Sequence, residues 1–438
     1  MAISKLPQGW VECELKNIAK EIISGSGFPK IYQGNKIGDY PFAKVGDISK
    51  LFRNKKKTID SAENYINEDV KNKIKGKIFP ANTIVFPKIG EALKGNYRLI
   101  TRKKMLFDNN VMGIVFSNNI NILFLYYFLV TQDFGKFSVA TTIPSIQKGC
   151  IEGIKINLPP LNEQRRIVEK IEEEFGKIDE GVEKLRFALE QIKQYRQAVL
   201  KSAFDGKLYK TTEWEEKSLQ ELTLKIGDVD HKMPKEVKEG VPYISPKDFY
   251  GVNGIDFINA KKITKKDYKI LSKKIAPNYG DIIFPRYGTI GTLRYVDTEE
   301  QFLVSYSCVV IKTINEKAES KYLYYSLLSP QIKSQIQRSI RQTTQANIGI
   351  QSIKDFNIKI GIKAEQQQIV KEIEKRLKVA DRIEAVIRQN LDKAEQLKQS
   401  ILKKAFEGRL VPQDPNDEPA SVLLEKIKAE RKNKCLIS

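Results

Sequence analysis

Two stretches of this chain repeat apolar residues at alternating steps of three and four. The first runs through Val168, Ile171, Phe175, Ile178, Val182, Leu185, Leu189, Ile192, Val199 and Ala203, with Arg196 as an interruption. The second runs through Val370, Ile373, Leu377, Ala380, Ile387, Leu391, Ala394, Ile401 and Ala405, interrupted by Glu384 and Lys398. A period of about 3.5 residues is that of a coiled-coil seam. The stretches are copies: Glu163 through Leu208 aligns without a gap onto Glu365 through Leu410 at an offset of 202, with 17 of 46 positions identical. Each predicts a helix of about 42 residues, about 63 Å long. Pro159-Pro160 closes the preceding run, Asn162 is the expected cap of the first helix, and Gly206 and Gly408 stop the two helices at matching points. Neither helix can bury its stripe alone. The simplest arrangement pairs them as an antiparallel coiled coil with a pseudo-twofold relation between the halves; the alternative is that each packs only on its own domain.

The two large segments lack this period. Thr83-Ile84-Val85-Phe86 and Cys308-Val309-Val310-Ile311 read as strands between Gly, Asn and Pro, and Ile122 to Val130 as a short buried helix. The repeat reaches weakly into these segments. Trp10 matches Trp214, Pro41-Phe42 matches Pro242-Tyr243, and Ile84 to Gly90 matches Ile282 to Gly288. Tyr126-Tyr127 is echoed by Tyr324-Tyr325, and Thr141-Thr142 by Thr343-Thr344. The chain therefore divides into 1–158, 159–208, 209–360, 361–412 and a polar tail, 413–438. The expected class is α+β: two similar domains with different surfaces, separated and joined by two long helices.

A net charge of +21 adds a partner to this scheme, because the excess lies mainly in the two large segments while 159–208 is balanced. That pattern fits two polyanion-binding bodies joined by a neutral element. Export is not expected, since the start breaks at Pro7-Gln8-Gly9 without an apolar signal core. No apolar run approaches the roughly 18 residues of a membrane helix. Four scattered cysteines (Cys13, Cys150, Cys308, Cys435) and the single His231 are a poor inventory for metal or redox chemistry and fit a reduced, cytoplasmic protein.

Catalytic constellations are not found. GxxxxGK[ST] is absent, and Gly25-Ser26-Gly27 lacks the third glycine of a dinucleotide loop and reads as a turn. Asn157-Leu158-Pro159-Pro160 is not an adenine-methyltransferase box, because a leucine intervenes and no aromatic follows. Asp414 with Glu430-Arg431-Lys432 only superficially suggests a nuclease set. One histidine leaves little scope for acylating triads. No catalytic residue, metal site or cofactor site is expected in this chain.

What remains is basic residues interleaved with aromatics and amides. The first domain offers Lys44, Arg53, Lys88, Lys94, Arg98 and Arg102; the second offers Lys247, Lys261, Lys262, Arg286, Tyr287, Arg294, Arg338 and Arg341. The lysines are phosphate contacts or solvated cations. Arg286, Arg341, Gln342, Gln345 and Asn347 are the candidates for reading base edges.

The opening LPQGW, the helix start PPLNEQRRIVEKIEE, the ends LKSAFDGKL and LKKAFEGRL, and the tail LVPQDPNDEPASVLLEKIKAER resemble Type I restriction-modification specificity subunits. FPRYGTIG is similar to the (F/S)xRxGTxG stretch of their target-recognition domains, whereas the first copy, FPKIGEALKG, has Glu91-Ala92 in place of Thr289-Ile290. The resemblance covers essentially the whole chain. It implies a non-catalytic subunit whose two recognition domains each read half of a bipartite sequence in double-stranded DNA. It further implies that the helices serve as a ruler and bind two modification subunits, which use S-adenosylmethionine to methylate adenine at N6. Restriction subunits, using ATP and Mg, join that core. Alternatives are the specificity subunit of a modification-only or bifunctional system, and a coiled-coil scaffold without specific DNA binding.

Overall fold

A computed structural model describes residues 6–137, 144–209, 213–231, 233–313, 316–341 and 346–435, with side chains to 431. Thr141-Thr142, Thr343-Thr344, Gln342, Gln345 and the Cys435 side chain lie outside the described residues. The chain forms two compact units, Met1–Glu183 with Leu391–Ser438, and Lys184–Asn390. Each unit is α+β.

In the first unit a five-stranded sheet runs in the order Ala19–Ser24, Val111–Phe116, Thr83–Pro87, Leu99–Thr101, Thr58–Ile59. All pairings are antiparallel except the last. The strand Thr83–Pro87 is buried throughout because both faces are covered. Ile84 and Phe86 join a core containing the helix Ile122–Thr131, while Val85 joins Ile23, Leu99, Phe107 and Val111 in another. Burial on both sides explains why this strand reads as a continuous apolar run rather than an alternation. Asn121 caps the helix, its side chain accepting from the Leu123 and Phe124 amides. A second sheet joins Asn64–Ile66, Tyr40–Ala43 and Leu106–Phe107.

The second unit repeats this plan. Its larger sheet orders Thr223–Gly227, Cys308–Thr313, Ile282–Pro285 and Arg294–Tyr295, and its smaller one Lys262–Ile263, Val241–Ile244 and Leu303–Val304. Ile282 and Phe284 again face one core and Ile283 another.

The long helices span Leu161–Phe204 and Lys363–Phe406, 44 residues each. The first begins before the expected cap: its first turn is anchored by the Gln164 amide on the Pro160 carbonyl, and Asn162 lies inside that turn, accepting from Arg165. Pro160 fits this boundary because a helix start has no use for its missing N–H. Gly206 and Gly408 adopt φ of 73° and 68°, the left-handed conformation that closes a helix without a Cβ clash.

Every proposed seam residue is buried or half-buried, namely Ile171, Ile178, Leu185, Leu189, Ile192, Val199, Ile373, Leu377, Ile387, Leu391 and Ile401. Within each unit the two helices run antiparallel. In the first, Asp179 and Phe175 meet Lys398, while Arg166 and Glu163 meet Asp417 and Gln413 beyond the second helix, so partner numbers rise as those of the first helix fall. In the second, Arg196 meets Asp381 and Glu384, and Val199 and Ala203 share a core with Val370 and Ile373. The seam interruptions are thus ion pairs. Asp179–Lys398 (2.8 Å) and Asp381–Arg196 (2.7 Å) occupy the same two repeat positions, each displaced by 202.

The segment 413–438, expected as a polar tail, carries a helix, Ala420–Cys435. Ala420, Leu423, Leu424 and Ile427 are buried in the first unit's core. Glu430, far from forming a nuclease cluster, accepts from Asn119 (2.6 Å) and Ser117 (3.1 Å). Among the described residues no group of His, Cys, Asp and Glu could hold a metal ion, and no helix is long and apolar enough to cross a membrane.

Candidate DNA interface

The strand Ile282–Pro285 delivers Arg286 to a turn whose Gly288 and Gly291 have φ of 68° and 79°. Arg286 does not hang free. Nη1 donates to Asp228 Oδ2 at 2.8 Å and Nε donates to the Ile348 carbonyl at 3.2 Å, with the guanidinium 4.8 Å from the Tyr287 ring centre. Its side chain is 12% exposed and that of Asp228 5%. Lys274 also reaches Asp228, at 3.3 Å, and His231 Nε2 lies 3.6 Å from it. The His231 ring stacks on Tyr306, 4.8 Å centre to centre. Tyr287 pairs with Asn347, and Asn347 lies opposite Arg341 in a two-stranded ribbon. The structure therefore brings Arg286, Tyr287, Arg341 and Asn347 together, with Arg341 exposed.

Four contributors to this face, Asp228, His231, Lys274 and Tyr306, escape sequence reasoning. They sit on three segments that the fold brings together, Asp228 and His231 sharing one, and their one signal is a lone histidine in an acidic loop, Asp228-Val229-Asp230-His231. Of the remaining second-domain candidates, Lys247 and Arg338 are exposed and Lys262 is half-buried. Lys261 donates to the Pro234 carbonyl at 2.6 Å.

Arg294 must be removed from the contact set. It is 6% exposed, its Nε and Nη1 donate to the Gly254 and Leu293 carbonyls, and it lies over Phe249. Arg98 is a second correction, fully buried, with its guanidinium 3.6 Å from the Phe134 ring centre. It donates to the Tyr97 carbonyl and Asn96 Oδ1, and burial lowers its pKa to about 9. A guanidinium enclosed by aromatic rings and carbonyls cannot reach a phosphate or a base edge.

Elsewhere in the first unit, Lys44 donates to Gln33 Oε1 and lies 5.4 Å from the Phe28 ring centre, and Arg53 donates to the Tyr97 hydroxyl. Lys88 is half-buried and Arg102 exposed. Where the second copy has Thr289-Ile290, Glu91 begins a short helix, Glu91–Lys94, and pairs with Lys94 at 2.7 Å. The same strand exit therefore presents different chemistry in the two units.

The family model for the Type I restriction modification DNA specificity domain matches residues 7–184 and again 211–393. The chain belongs to that family. Its members are the non-catalytic DNA-recognition component of Type I systems, so this chain recognises DNA and works with modification and restriction subunits. It is 24% identical over 473 residues to the EcoKI specificity subunit of Escherichia coli K12, covering 98% of this chain and 97% of that protein. Similarity to the MjaVIII specificity subunit of Methanocaldococcus jannaschii is 26% over 329 residues, 70% of this chain and 75% of that one. In fold it resembles a chain solved in work on complex assembly and conformational transition of the type I R-M system, with a TM-score of 0.66 and 16% identity over 93% of this chain and all of that one. The crystal structure of the HsdS subunit from Thermoanaerobacter tengcongensis gives 0.50 and 15%, covering 93% and 99%. The Arg286 turn lies inside the second matched region and the Lys88 turn inside the first, so each recognition domain carries one copy.

Proposed function

We propose that each recognition domain reads one half of a bipartite DNA target, and that the paired helices carry two modification subunits to adenines within the two halves. The observation behind this reading is the duplication itself: two copies of one recognition domain in one chain, with different residues at matching strand exits. Two domains with different surfaces suit two different half-sites. Phosphate contacts from residues such as Arg102, Lys247 and Arg338 hold the domains on the duplex, and Arg341, Asn347, Gln342 and Gln345 are the base-reading candidates of the second. This chain brings no cofactor of its own. S-adenosylmethionine belongs to the modification subunits, ATP and Mg to the restriction subunits, and the complex works in the cytoplasm, where its DNA is.

The test is reconstitution. Purified chain, S-adenosylmethionine and host DNA should give no methyl transfer, and addition of the cognate modification subunit should give transfer to adenine N6 at a bipartite motif. Methylation by rigorously pure chain alone, or by the complex at a continuous motif, contradicts the proposal.

A further inference from the structure

Beside the apolar core that each recognition domain shares with its own long helix, two polar contacts join them at corresponding helix positions in both units. The first point is a buried glutamine. Gln164 Oε1 accepts from the Asn121 amide at 3.0 Å, while its Nε2 donates to the Pro159 carbonyl at 2.9 Å. In the second unit Gln366 Oε1 accepts from the Glu319 amide at 2.8 Å and Nε2 donates to the Gly361 carbonyl at 2.9 Å. Both glutamines are essentially unexposed, at 0% and 1%.

The second point lies two helical turns further along. In the first unit the Tyr127 hydroxyl donates to Glu172 Oε1 at 2.5 Å, and Lys57 Nζ donates to Glu172 Oε2 at 2.7 Å and to the tyrosine oxygen at 2.7 Å. In the second unit Lys321 Nζ meets Glu374 Oε1 at 2.6 Å, and Tyr325 lines the same groove as both. Burial first, and then the neighbouring glutamate, raise the pKa of both phenols, so each stays protonated.

The spacings match. Gln164 and Glu172 become Gln366 and Glu374 at the offset of 202, and Asn121 and Tyr127 keep their separation in Glu319 and Tyr325. The lysine does not follow the repeat. Lys57 precedes the strand Thr58–Ile59, whereas Lys321 lies on the helix Ser320–Leu327. The same constellation is thus completed from different places in the fold, which a shared ancestral sequence alone does not explain. In the second unit Lys321, Tyr325 and Glu374 line a groove of about 1030 Å³ that also includes Arg196, Tyr279 and Tyr295.

The apolar core holds each domain on its helix, and two directional polar contacts spaced along that helix add resistance to rocking. We propose that Glu172 with Tyr127 and Lys57, and Glu374 with Tyr325 and Lys321, are positioning groups that stop each recognition domain from rocking on its helix and so fix the spacer accepted between the half-sites. None of them reads a base. This inference rests on the bipartite reading above.

The experiment uses the whole complex of this chain with its modification subunit and S-adenosylmethionine. Duplexes carry both half-sites with the native spacer, or with one base pair added or removed, and initial methylation rates are compared. Glu172→Ala, Glu374→Ala and their combination remove the second attachment and leave a good helix former in place. Glu172→Gln and Glu374→Gln remove the charge of each carboxylate while keeping its size, should an alanine variant fail to assemble. The variants should lose about tenfold of the discrimination between native and altered spacers, the effect of one charge-assisted hydrogen bond, with base preferences inside each half-site unchanged. Variants that assemble and discriminate spacers as sharply as wild type overturn the inference. A wild-type complex that shows no fixed spacer overturns the bipartite reading instead.

Discussion

Replacing Arg98 by alanine should destabilise the first unit and leave DNA contacts intact, the reverse of what its place in a basic, aromatic-rich stretch suggests. The guanidinium is wholly enclosed, donates at 2.8 Å to the Tyr97 carbonyl, at 2.5 Å to Asn96 Oδ1 and at 3.3 Å to the Gln132 carbonyl, and lies against Phe134. Alanine strands these acceptors and opens a cavity beside the ring. Against that stands relief from holding a cation in a site that lowers its pKa, so the net loss is about 2–4 kcal/mol rather than more. The chain's two tryptophans make this measurable, because Trp10 lies in the first unit and Trp214 in the second. Urea unfolding followed by Trp10 fluorescence in a Trp214→Phe background reports the first unit alone. The control is exposed Arg102→Ala, which should leave unfolding unchanged but reduce the slope of log K against log salt by about 1. An Arg98→Ala protein as stable as wild type with a reduced salt slope would restore Arg98 as a phosphate contact.

Asp228→Ala leaves Arg286 and Lys274 without their shared carboxylate and should destabilise the second unit by about 3 kcal/mol. Trp214 fluorescence in a Trp10→Phe background reads this, and an equal loss in the first unit would contradict it. The folded pKa of Glu384 is held down by Arg388 and then Arg196, and that of Asp417 by Arg166. Their contributions are therefore full above the unfolded carboxylate range and vanish as pH falls through the lower folded values. Asp108 and Asp281, raised by burial, act in the opposite sense. Melting followed from pH 6 to pH 3 should fall less steeply in Arg166→Met than in wild type, and identical slopes would remove the Asp417 pair from the account. Four residues inserted in register after Gly181 and Ile383 lengthen each helix by about 6 Å, which at about 3.4 Å per base pair should widen the spacer by one or two base pairs. An active variant that keeps the original spacing would show that these helices do not set it.

Periodicity made the seam legible, because alternating steps of three and four survive even where an ion pair replaces a leucine, as at Arg196 and Lys398. It also lay in the tail: Ala420, Leu423, Leu424 and Ile427 have helical spacing, easily passed over between so many charges. The strands Thr83–Pro87 and Cys308–Thr313 were visible as apolar runs. The basic residues were harder. Whether an arginine reaches solvent or is swallowed depends on carbonyls and rings from distant segments, Gln132 and Phe134 for Arg98, Gly254 and Phe249 for Arg294. Nothing local in Tyr97-Arg98-Leu99 announces them. For the same reason Asp228 was invisible as the partner of Arg286, 58 residues away. The helix start misled by two residues, since Asn162 suits a cap but Pro160 already anchors the first turn.

Two recognition domains in one chain should act as independent DNA readers. Exchanging residues 10–158 for the equivalent segment of another family member, followed by genome-wide mapping of methylated adenines in cells carrying the hybrid, tests it most directly. Two independent readers give a motif with one half replaced and the other half retained. A stable, active hybrid whose motif changes in both halves would contradict it.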